Sequence, residues 1–213
     1  MPYVRMVKMK TALLYSTEID QAAHILLEGG ILALPTDTVY GLAVCFNDLD
    51  AILKLRSVKR RPEDKAFALM VSSLDMIESM ADLTPRDRDI IHNCLPGDLT
   101  LILNKKKSFD AQYFKDLSTI AFRIPDEKFI LDLINNIQTG LLVPSANKSG
   151  ENPCMDSDCV YEVFKEEIEG IVVGKSGQKE ASTIVDATQK ALVVVRQGRM
   201  TLEEIKKKAR IDE

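Results

Sequence analysis

Residues 19–41 read IDQAAHILLEGGILALPTDTVYG, and this stretch contains the patterns of a helix, a strand and a polar loop in succession. Its first residues place apolar side chains at helical spacing, with Thr17 and Asp20 as the expected N-terminal cap and Gly29–Gly30 as the stop. Ile31–Leu34 is a continuous apolar run ended by a proline, which is typical of a buried strand. Together these patterns predict a sheet with helices packed against it.

The same alternation of helical patterns and short apolar runs continues to the end of the chain. Asp48 is expected to cap a second helix, and Thr201 with Glu204 fits a capping box that opens a terminal helix. Other helices are predicted over about 127–137 and near 160–164, and other strands over 66–71, 99–103, 119–124, 141–144, 171–173, 183–185 and 192–195. The order of elements predicts an α/β or α+β fold with a twisted, mostly mixed sheet flanked by helices.

Composition indicates an ordinary globular protein. Of its 213 residues 46% are hydrophobic and 28% are charged, which argues against disorder and fits a single domain over residues 1–213. No apolar run approaches membrane-spanning length, and residues 1–10 lack the apolar stretch of a signal peptide, so we expect a cytoplasmic protein with no membrane partner. The net charge of −4 does not favour a protein that coats nucleic acid, so a phosphate site must be a local cluster of cations.

The few cysteines and histidines narrow the chemistry further. The four cysteines are Cys45, Cys94, Cys154 and Cys159. None has the C-x-x-C spacing of a zinc or redox site, so we expect four free thiols in a reducing compartment. Both histidines, His24 and His92, fall in helical patterns; a histidine-rich metal site is excluded, and a Ser-His-Asp triad would need one of these two.

Polar residues interrupt the apolar runs at three places, and these are the candidate site. Pro35–Gly41 and Val143–Gly150 follow two of the predicted strands, and Arg123 lies inside a third. Strand ends are where open α/β folds place ligands. The residues of each loop are also ordinary turn formers, and for either loop alone the turn is the favoured interpretation. Arg123 is different, because a charge in a buried strand needs a partner or a ligand.

Two clusters of positive charge are candidates for a phosphate site. One is Lys59-Arg60-Arg61 with Lys65 nearby, which could simply complement a helix dipole. The other, Lys105–Lys107, is expected to be a solvated loop. Neither common glycine-rich nucleotide motif is present. The residues alone therefore indicate an α/β domain with a site lined by hydroxyls, amides and cations and suited to an anionic ligand.

Taken in order, seven short motifs resemble those of the YrdC-type threonylcarbamoyl-AMP synthases. They are LPTDTVYGL (34–42), KRRPEDK (59–65), PGDLT (96–100), TIAFRIP (119–125), PSANKSG (144–150), STIVD (182–186) and VRQG (195–198). Each motif is weak alone, but their order and spacing over about Ile19–Gly198 are specific. The resemblance implies the short, single-domain form of the family, with a YrdC-like fold and a catalytic core over about 19–198.

That resemblance implies an activity and its partners. The family joins L-threonine, bicarbonate or CO2, and ATP into threonylcarbamoyl-adenylate and releases pyrophosphate. Downstream transferase proteins pass the threonylcarbamoyl group to an adenosine of tRNA, and Mg2+ is expected mainly on ATP, with no metal site of the protein's own. The alternative is a non-catalytic binder of tRNA or double-stranded RNA with the same fold. Two weaker alternatives are a paralogue of unknown activity and the carbamoyl-transfer domain of hydrogenase maturation.

By the same resemblance, individual residues receive roles. The expected ATP-binding residues are Lys59, Arg61, Lys65, Thr119, Ser145, Asn147 and Arg196, among which Lys59, Arg61, Ser145 and Asn147 form the family's paired K-x-R and S-x-N signatures and are the expected catalytic residues. The expected threonine-binding residues are Thr38, Arg123 and Ser182. Such a transfer needs alignment and charge neutralisation more than a protein base. Met70, Asp98 and Pro153 depart from the histidine, proline and serine found in relatives.

Overall fold

The computed structural model describes residues 10–61, 66–177 and 181–211, so the expected ATP ligand Lys65 lies outside the described residues. Within these ranges the chain forms ten strands, seven α-helices and one 3-10 turn. In chain order they are β1 (Ala12–Leu14), α1 (Ile19–Leu27), β2 (Leu32–Leu34), β3 (Gly41–Cys45), α2 (Leu49–Lys59), β4 (Leu69–Met70), α3 (Leu74–Met80), α4 (Pro85–Cys94), β5 (Leu99–Asn104), the 3-10 turn (Gln112–Phe114), β6 (Thr119–Arg123), α5 (Lys128–Ile137), β7 (Leu141–Leu142), α6 (Ser157–Phe164), β8 (Gly170–Val172), β9 (Thr183–Asp186), β10 (Val193–Arg196) and α7 (Leu202–Ala209).

The strands form one mixed sheet in the order β1-β8-β2-β3-β7-β4-β6-β5-β9-β10. The pairs β1–β8, β8–β2, β4–β6 and β5–β9 are parallel, and the remaining neighbours are antiparallel. Strands that are distant in sequence therefore become neighbours, as β5 and β9 do. The predicted fold class, a mixed sheet flanked by helices, is confirmed.

Successive residues of the central strands point to two separate apolar clusters. Leu32 and Leu34 pack with α1 and α5 on one face, while Ile31 and Ala33 pack on the other face with the cluster that includes α2, α4, α6 and α7. This alternation is the period-two geometry of a strand buried on both faces. The face of the sheet that α1 and α5 cover continues onto β6, β5 and β9. There it forms the floor of a cavity, which contains the candidate site.

Most predicted elements are present, with differences at their ends. The Asp48 cap and the Thr201 capping box are confirmed. The Thr17 cap is wrong, because α1 begins after Glu18 and has no side-chain cap; the Glu18 carboxylate accepts instead from the Tyr15 amide at 2.7 Å. The predicted strand over 66–71 shortens to β4, since the Phe67 amide donates to the Tyr113 hydroxyl rather than to a neighbouring strand. Among the described residues no helix is both long and apolar enough to cross a lipid bilayer.

The expectation of four free thiols is wrong for two of the cysteines. Cys154 and Cys159 form a disulfide, while Cys45 and Cys94 are free and buried. The loop before α6 folds back on the first turn of that helix and brings the two Cα atoms to 5.5 Å, within the range of disulfide-bonded pairs. This proximity is a property of the loop's path, and the five-residue spacing carries no sequence signal for it.

Candidate functional site

The floor of the candidate site is a strand face that alternates small or polar side chains with large buried ones. In β6, Thr119, Ala121 and Arg123 line a cavity of about 470 Å3, whereas Phe122 between them is fully buried in the core. In β5, Thr100 lines the cavity and its neighbour Leu101 is buried. Because Thr100, Thr119 and Ala121 are small, they leave room for a ligand while the other face keeps the sheet packed. The same alternation is visible in the sequence of β6 as TIAFR.

The two polar loops lie side by side at the edge of the cavity. The Leu42 amide donates to Pro144 O at 2.9 Å, and the Ala146 amide donates to Tyr40 O at 2.6 Å. A glycine is required at position 41, because a Cβ there would overlap the side chain of Val143. Paired in this way, the two loops act as one wall of the site, which favours a functional role over two independent turns.

Arg123 has the partners that its buried position demands. Its side chain is 6% exposed, and Nη2 forms an ion pair with Asp37 Oδ1 at 2.9 Å. Nη1 donates to Thr38 Oγ1 at 3.1 Å, and Nε donates to Gly97 O at 3.4 Å. A second carboxylate, that of Asp98, lies 3.9 Å from Nη2. Arg123 and Thr38 line the cavity, so the guanidinium is held in place at the surface of the site.

A second guanidinium lies close to Arg123. Arg196 Nη2 donates to Ser182 O at 2.8 Å, and the Ser182 hydroxyl lies 2.8 Å from Thr100 Oγ1. Burial, followed by the nearby charge of Arg123, lowers the pKa of Arg196. Asp37 offsets part of the charge of Arg123, and Arg196 adds a second positive charge nearby, so this part of the cavity attracts anions.

Lys59 and Asn147 lie within the wall beside Ser145. Lys59 is 2% exposed, and its Nζ donates to Ser145 O, to Asn147 O at 2.8 Å and to Asn147 Oδ1 at 3.4 Å. The Ser145 hydroxyl donates to the same Asn147 Oδ1 at 2.6 Å. Burial, followed by the charges of Arg61 and Lys148, lowers the pKa of Lys59 to about 8. Lys59 thus does more than complement a helix dipole, because it organises the Ser145–Asn147 loop.

Arg61 also lines the cavity, beside an apolar region. Its guanidinium donates to Ala66 O at 3.1 Å and lies 4.8 Å from the centroid of the Phe67 ring. Phe114 and Leu117 line the same cavity. A charge beside aromatic and aliphatic side chains suits a ligand that has both a flat apolar part and an anionic part.

Similarity to known proteins shows the family of this chain. The Sua5/YciO/YrdC family model, described as "Telomere recombination", matches residues 24–198, which is most of the chain. The chain belongs to this family. The resemblance found in the motifs is thereby confirmed.

Three relatives are informative about the fold and the function of the family. The threonylcarbamoyl-AMP synthase of Pyrococcus abyssi is 33% identical over 192 residues, covering 89% of this chain and 56% of that protein. The crystal structure of P. abyssi Sua5 complexed with L-threonine has a TM-score of 0.84 at 31% identity, covering 92% of this chain and 60% of that one. Escherichia coli YciO, at 22% identity and a TM-score of 0.82, covers 92% of this chain and 99% of its own and shows the shared fold. The chain spans little more than half the length of the curated synthase.

The family resemblance gave roles to a set of residues, and most of them come together in the structure. Those that line the cavity are Thr38, Arg61, Thr119, Arg123, Ser145, Ser182 and Arg196. Lys59 and Asn147 adjoin Ser145 but lie inside the wall. Sequence reasoning missed Asp37, the ion-pair partner of Arg123, and Thr100, the hydroxyl partner of Ser182, although both stand in quoted motifs. The roles of all these residues stay predictions.

Gly198 of the VRQG motif provides a stability prediction. A Cβ at this position would overlap Ala181 O and lie 2.5 Å from the amide nitrogen of Thr183. We expect Gly198→Ala to separate β10 from β9 and to lower the free energy of unfolding by about 1–3 kcal/mol. Thermal unfolding measures this effect, with Gly174→Ala as the control, because a Cβ at Gly174 meets its nearest atom at an ordinary 3.4 Å. Equal melting temperatures for the two variants would contradict the packing argument.

Proposed function

We propose that this chain is a threonylcarbamoyl-AMP synthase, which forms threonylcarbamoyl-adenylate and pyrophosphate from L-threonine, bicarbonate or CO2, and ATP for the modification of tRNA. The observation that carries the proposal is the meeting of Arg61, Arg123 and Arg196 around one cavity with the hydroxyls of Thr38 and Ser182. Three guanidiniums match the anionic groups of threonine and ATP, which are a carboxylate and a triphosphate. The names of the relatives support the same assignment.

The threonine subsite is proposed beside Arg123. Thr38 and the Ser182–Thr100 hydroxyl pair lie near its guanidinium and offer hydrogen bonds to the polar groups of the amino acid. Met70 is the register partner of Arg123 on the adjacent parallel strand, so an apolar thioether lies next to the same position. Asp37 occupies one Nη2–H, so a substrate carboxylate binds the remaining donors of the fork.

The reaction proposed for this site requires alignment more than proton transfer by the protein. The neutral amine of threonine bonds to the carbon of CO2, the electrons of one C=O π bond move to oxygen, and the nitrogen loses a proton to solvent water, which leaves a carbamate. A carbamate oxygen then attacks the α-phosphorus of ATP, the bond from that phosphorus to the β-phosphate oxygen breaks, and pyrophosphate leaves. Arg61 and Arg196 offset the growing negative charge, while Ser145 orients phosphate oxygens from the wall. Lys59 keeps that wall in place through its bonds to loop oxygens.

The described lining of the cavity also fits a Mg2+ ion that arrives on ATP. It contains hydroxyls and guanidiniums and no carboxylate, and the nearby Asp37 and Asp98 are already paired with arginines. Mg2+ holds its remaining sites with water and phosphate oxygens when the protein supplies few ligands. When bound, the ion would neutralise triphosphate charge.

Three further properties belong to the proposal. They are cytoplasmic location, transfer of the product by downstream transferase proteins, and direct contact with tRNA or double-stranded RNA. The chain's net charge of −4 lends the last of these no support, so catalysis is favoured over a purely RNA-binding role.

A labelled-carbon assay tests the proposed function. The protein is incubated with ATP and Mg2+, L-threonine and 14C-bicarbonate, and the products are separated by chromatography. We expect a labelled adenylate together with pyrophosphate, and no product when threonine or bicarbonate is omitted. Cleavage of ATP to ADP, or pyrophosphate release that ignores both co-substrates, would exclude the proposal.

A further inference from the structure

The wall loop and the end of α2 hold each other through two sets of hydrogen bonds. Lys59 of α2 donates its ammonium protons to oxygens of Ser145 and Asn147. In return, Lys148 Nζ donates to Val58 O at 2.8 Å, and the Ser149 amide donates to Lys59 O at 2.9 Å. The last carbonyls of a helix have no partner within it, so the loop caps α2 while α2 anchors the loop.

Lys148 is placed too deeply for an ordinary surface lysine. Its side chain is 11% exposed, its Nζ forms an ion pair with Glu167 at 2.6 Å, and the ammonium lies 4.6 Å from the centroid of the Phe164 ring. Lysine is rarely buried without partners, because desolvation of the ammonium is costly. Here the backbone of α2, a carboxylate and an aromatic ring from the α6 region all converge on one charge.

We infer that Lys148 is a positioning residue, which holds Lys59 and the Ser145–Asn147 loop in the arrangement that binds the triphosphate of ATP. The inference rests on the proposed function for its ligand. Lys148 does not line the cavity, so its influence passes through the loop and through Lys59. Ser145, which does line the cavity, is only three residues away on the same short loop.

Two readouts follow from this contact: ATP affinity reports the arrangement of the loop, and the titration of Lys59 reports its electrostatic coupling to Lys148. The charges that lower the pKa of Lys59 are Arg61, on its own segment, and Lys148, on the loop; Glu167, from the segment after α6, faces Lys148. Removing the positive charge of Lys148 raises the pKa of Lys59, because less repulsion opposes its protonation. Removing the negative charge of Glu167 leaves Lys148 uncompensated and lowers that pKa. Substitution of Lys148 and substitution of Glu167, the two partners of one ion pair, therefore shift the pKa of Lys59 in opposite directions.

The test measures Mg-ATP affinity by calorimetry between pH 6.5 and 9.5, without threonine or bicarbonate, so that no reaction occurs. In the wild type we expect affinity to fall as pH rises through about 8, where Lys59 loses its proton. Lys148→Met should weaken binding roughly fivefold at pH 7 and move the midpoint of this fall upward by roughly half a pH unit. Glu167→Gln should move the midpoint downward by a smaller amount, since Glu167 is about half exposed. Lys165→Met, which removes an exposed lysine paired with Glu162, is the matched control and should leave the midpoint unchanged.

A second readout separates failure of this inference from failure of the proposed function. In protein labelled with 13C-lysine, the ε-carbon signal of Lys59, assigned by its loss in Lys59→Met, reports its titration without any nucleotide. If this signal shows that the pKa of Lys59 shifts in opposite directions in Lys148→Met and Glu167→Gln, the coupling is supported even if ATP does not bind. Absence of ATP binding in the wild type counts against the proposed function alone. Shifts of the same sign, or no shift in either variant, overturn the inference. Where Lys148→Met fails to fold, the sign of the Glu167→Gln shift decides.

Discussion

Lys59→Met is expected to lower kcat/KM for ATP by roughly a hundredfold while the protein remains folded. The change removes a buried ammonium and leaves oxygens of Ser145 and Asn147 without their donor. An unpaired buried acceptor costs about 1–3 kcal/mol, and about 2.8 kcal/mol corresponds to a hundredfold loss. Because the loop can recover those bonds only by moving, the loss should fall on ATP use. Steady-state kinetics with ATP varied at saturating threonine and bicarbonate measure it.

The matched control for this experiment is Lys54→Met on the same helix. Lys54 is about one-third exposed and pairs with Glu169, away from the Ser145–Asn147 loop. Kinetics close to wild type are therefore expected for that variant, because the Lys54–Glu169 pair makes no contact with the loop that Lys59 holds. Wild-type kcat/KM in Lys59→Met would contradict this prediction and would leave Lys59 as a positive charge that complements the end of a helix.

Arg123→Lys is expected to weaken threonine binding tenfold or more, about 1.4 kcal/mol, with little change in ATP affinity. Lysine keeps the charge but cannot contact Asp37, Thr38 and a substrate carboxylate at once, because it lacks the planar fork. Isothermal titration with each ligand separately measures the difference. The ion pair with Asp37 is buried, so a folded state must be verified by thermal unfolding first.

Arg199→Lys is the control for the arginine substitution. Arg199 contacts Asp98 at 3.3 Å in the same ion cluster, but its side chain is 58% exposed. We expect threonine affinity in that variant to stay within about twofold of the wild type, because exposed pairs contribute little. Equal weakening of threonine and ATP in Arg123→Lys would instead make Arg123 a phosphate ligand or a purely structural ion-pair member.

The fold was largely predictable because its signals are local. Apolar runs, helix caps and proline or glycine stops all depend on residues within a few positions of one another, as the Asp48 and Thr201 caps demonstrate. The Thr17 cap was wrong for a local reason, because the Glu18 carboxylate accepts from the Tyr15 amide. The strand error occurred where a distant residue competed with the local pattern. The strand predicted over 66–71 shortened because Tyr113, distant in sequence, takes the Phe67 amide.

The candidate site was predictable only in its list of residues. An arginine in a buried strand and polar loops after strands pointed to the correct segments, and the family resemblance assigned them roles. Which of these residues reach the cavity could not be read from the sequence. Lys59 and Ser145 are 86 residues apart and belong to the two paired signatures. Lys59 lies inside the wall and Ser145 lines the cavity, because the direction of each side chain depends on how α2 packs against the loop.

The sequence by itself determined the elements of this protein, its mixed α/β class and the supply of cations and hydroxyls for an anionic ligand. The tertiary structure alone decided that Asp37 pairs with Arg123, that Cys154 bonds to Cys159, and that Lys148 and Lys59 hold α2 and the loop together. The physical reason is the range of the forces involved. Backbone preferences and hydrophobic periodicity act over a few residues, whereas the partner of a buried charge or thiol is whichever group the packed chain brings within bonding distance.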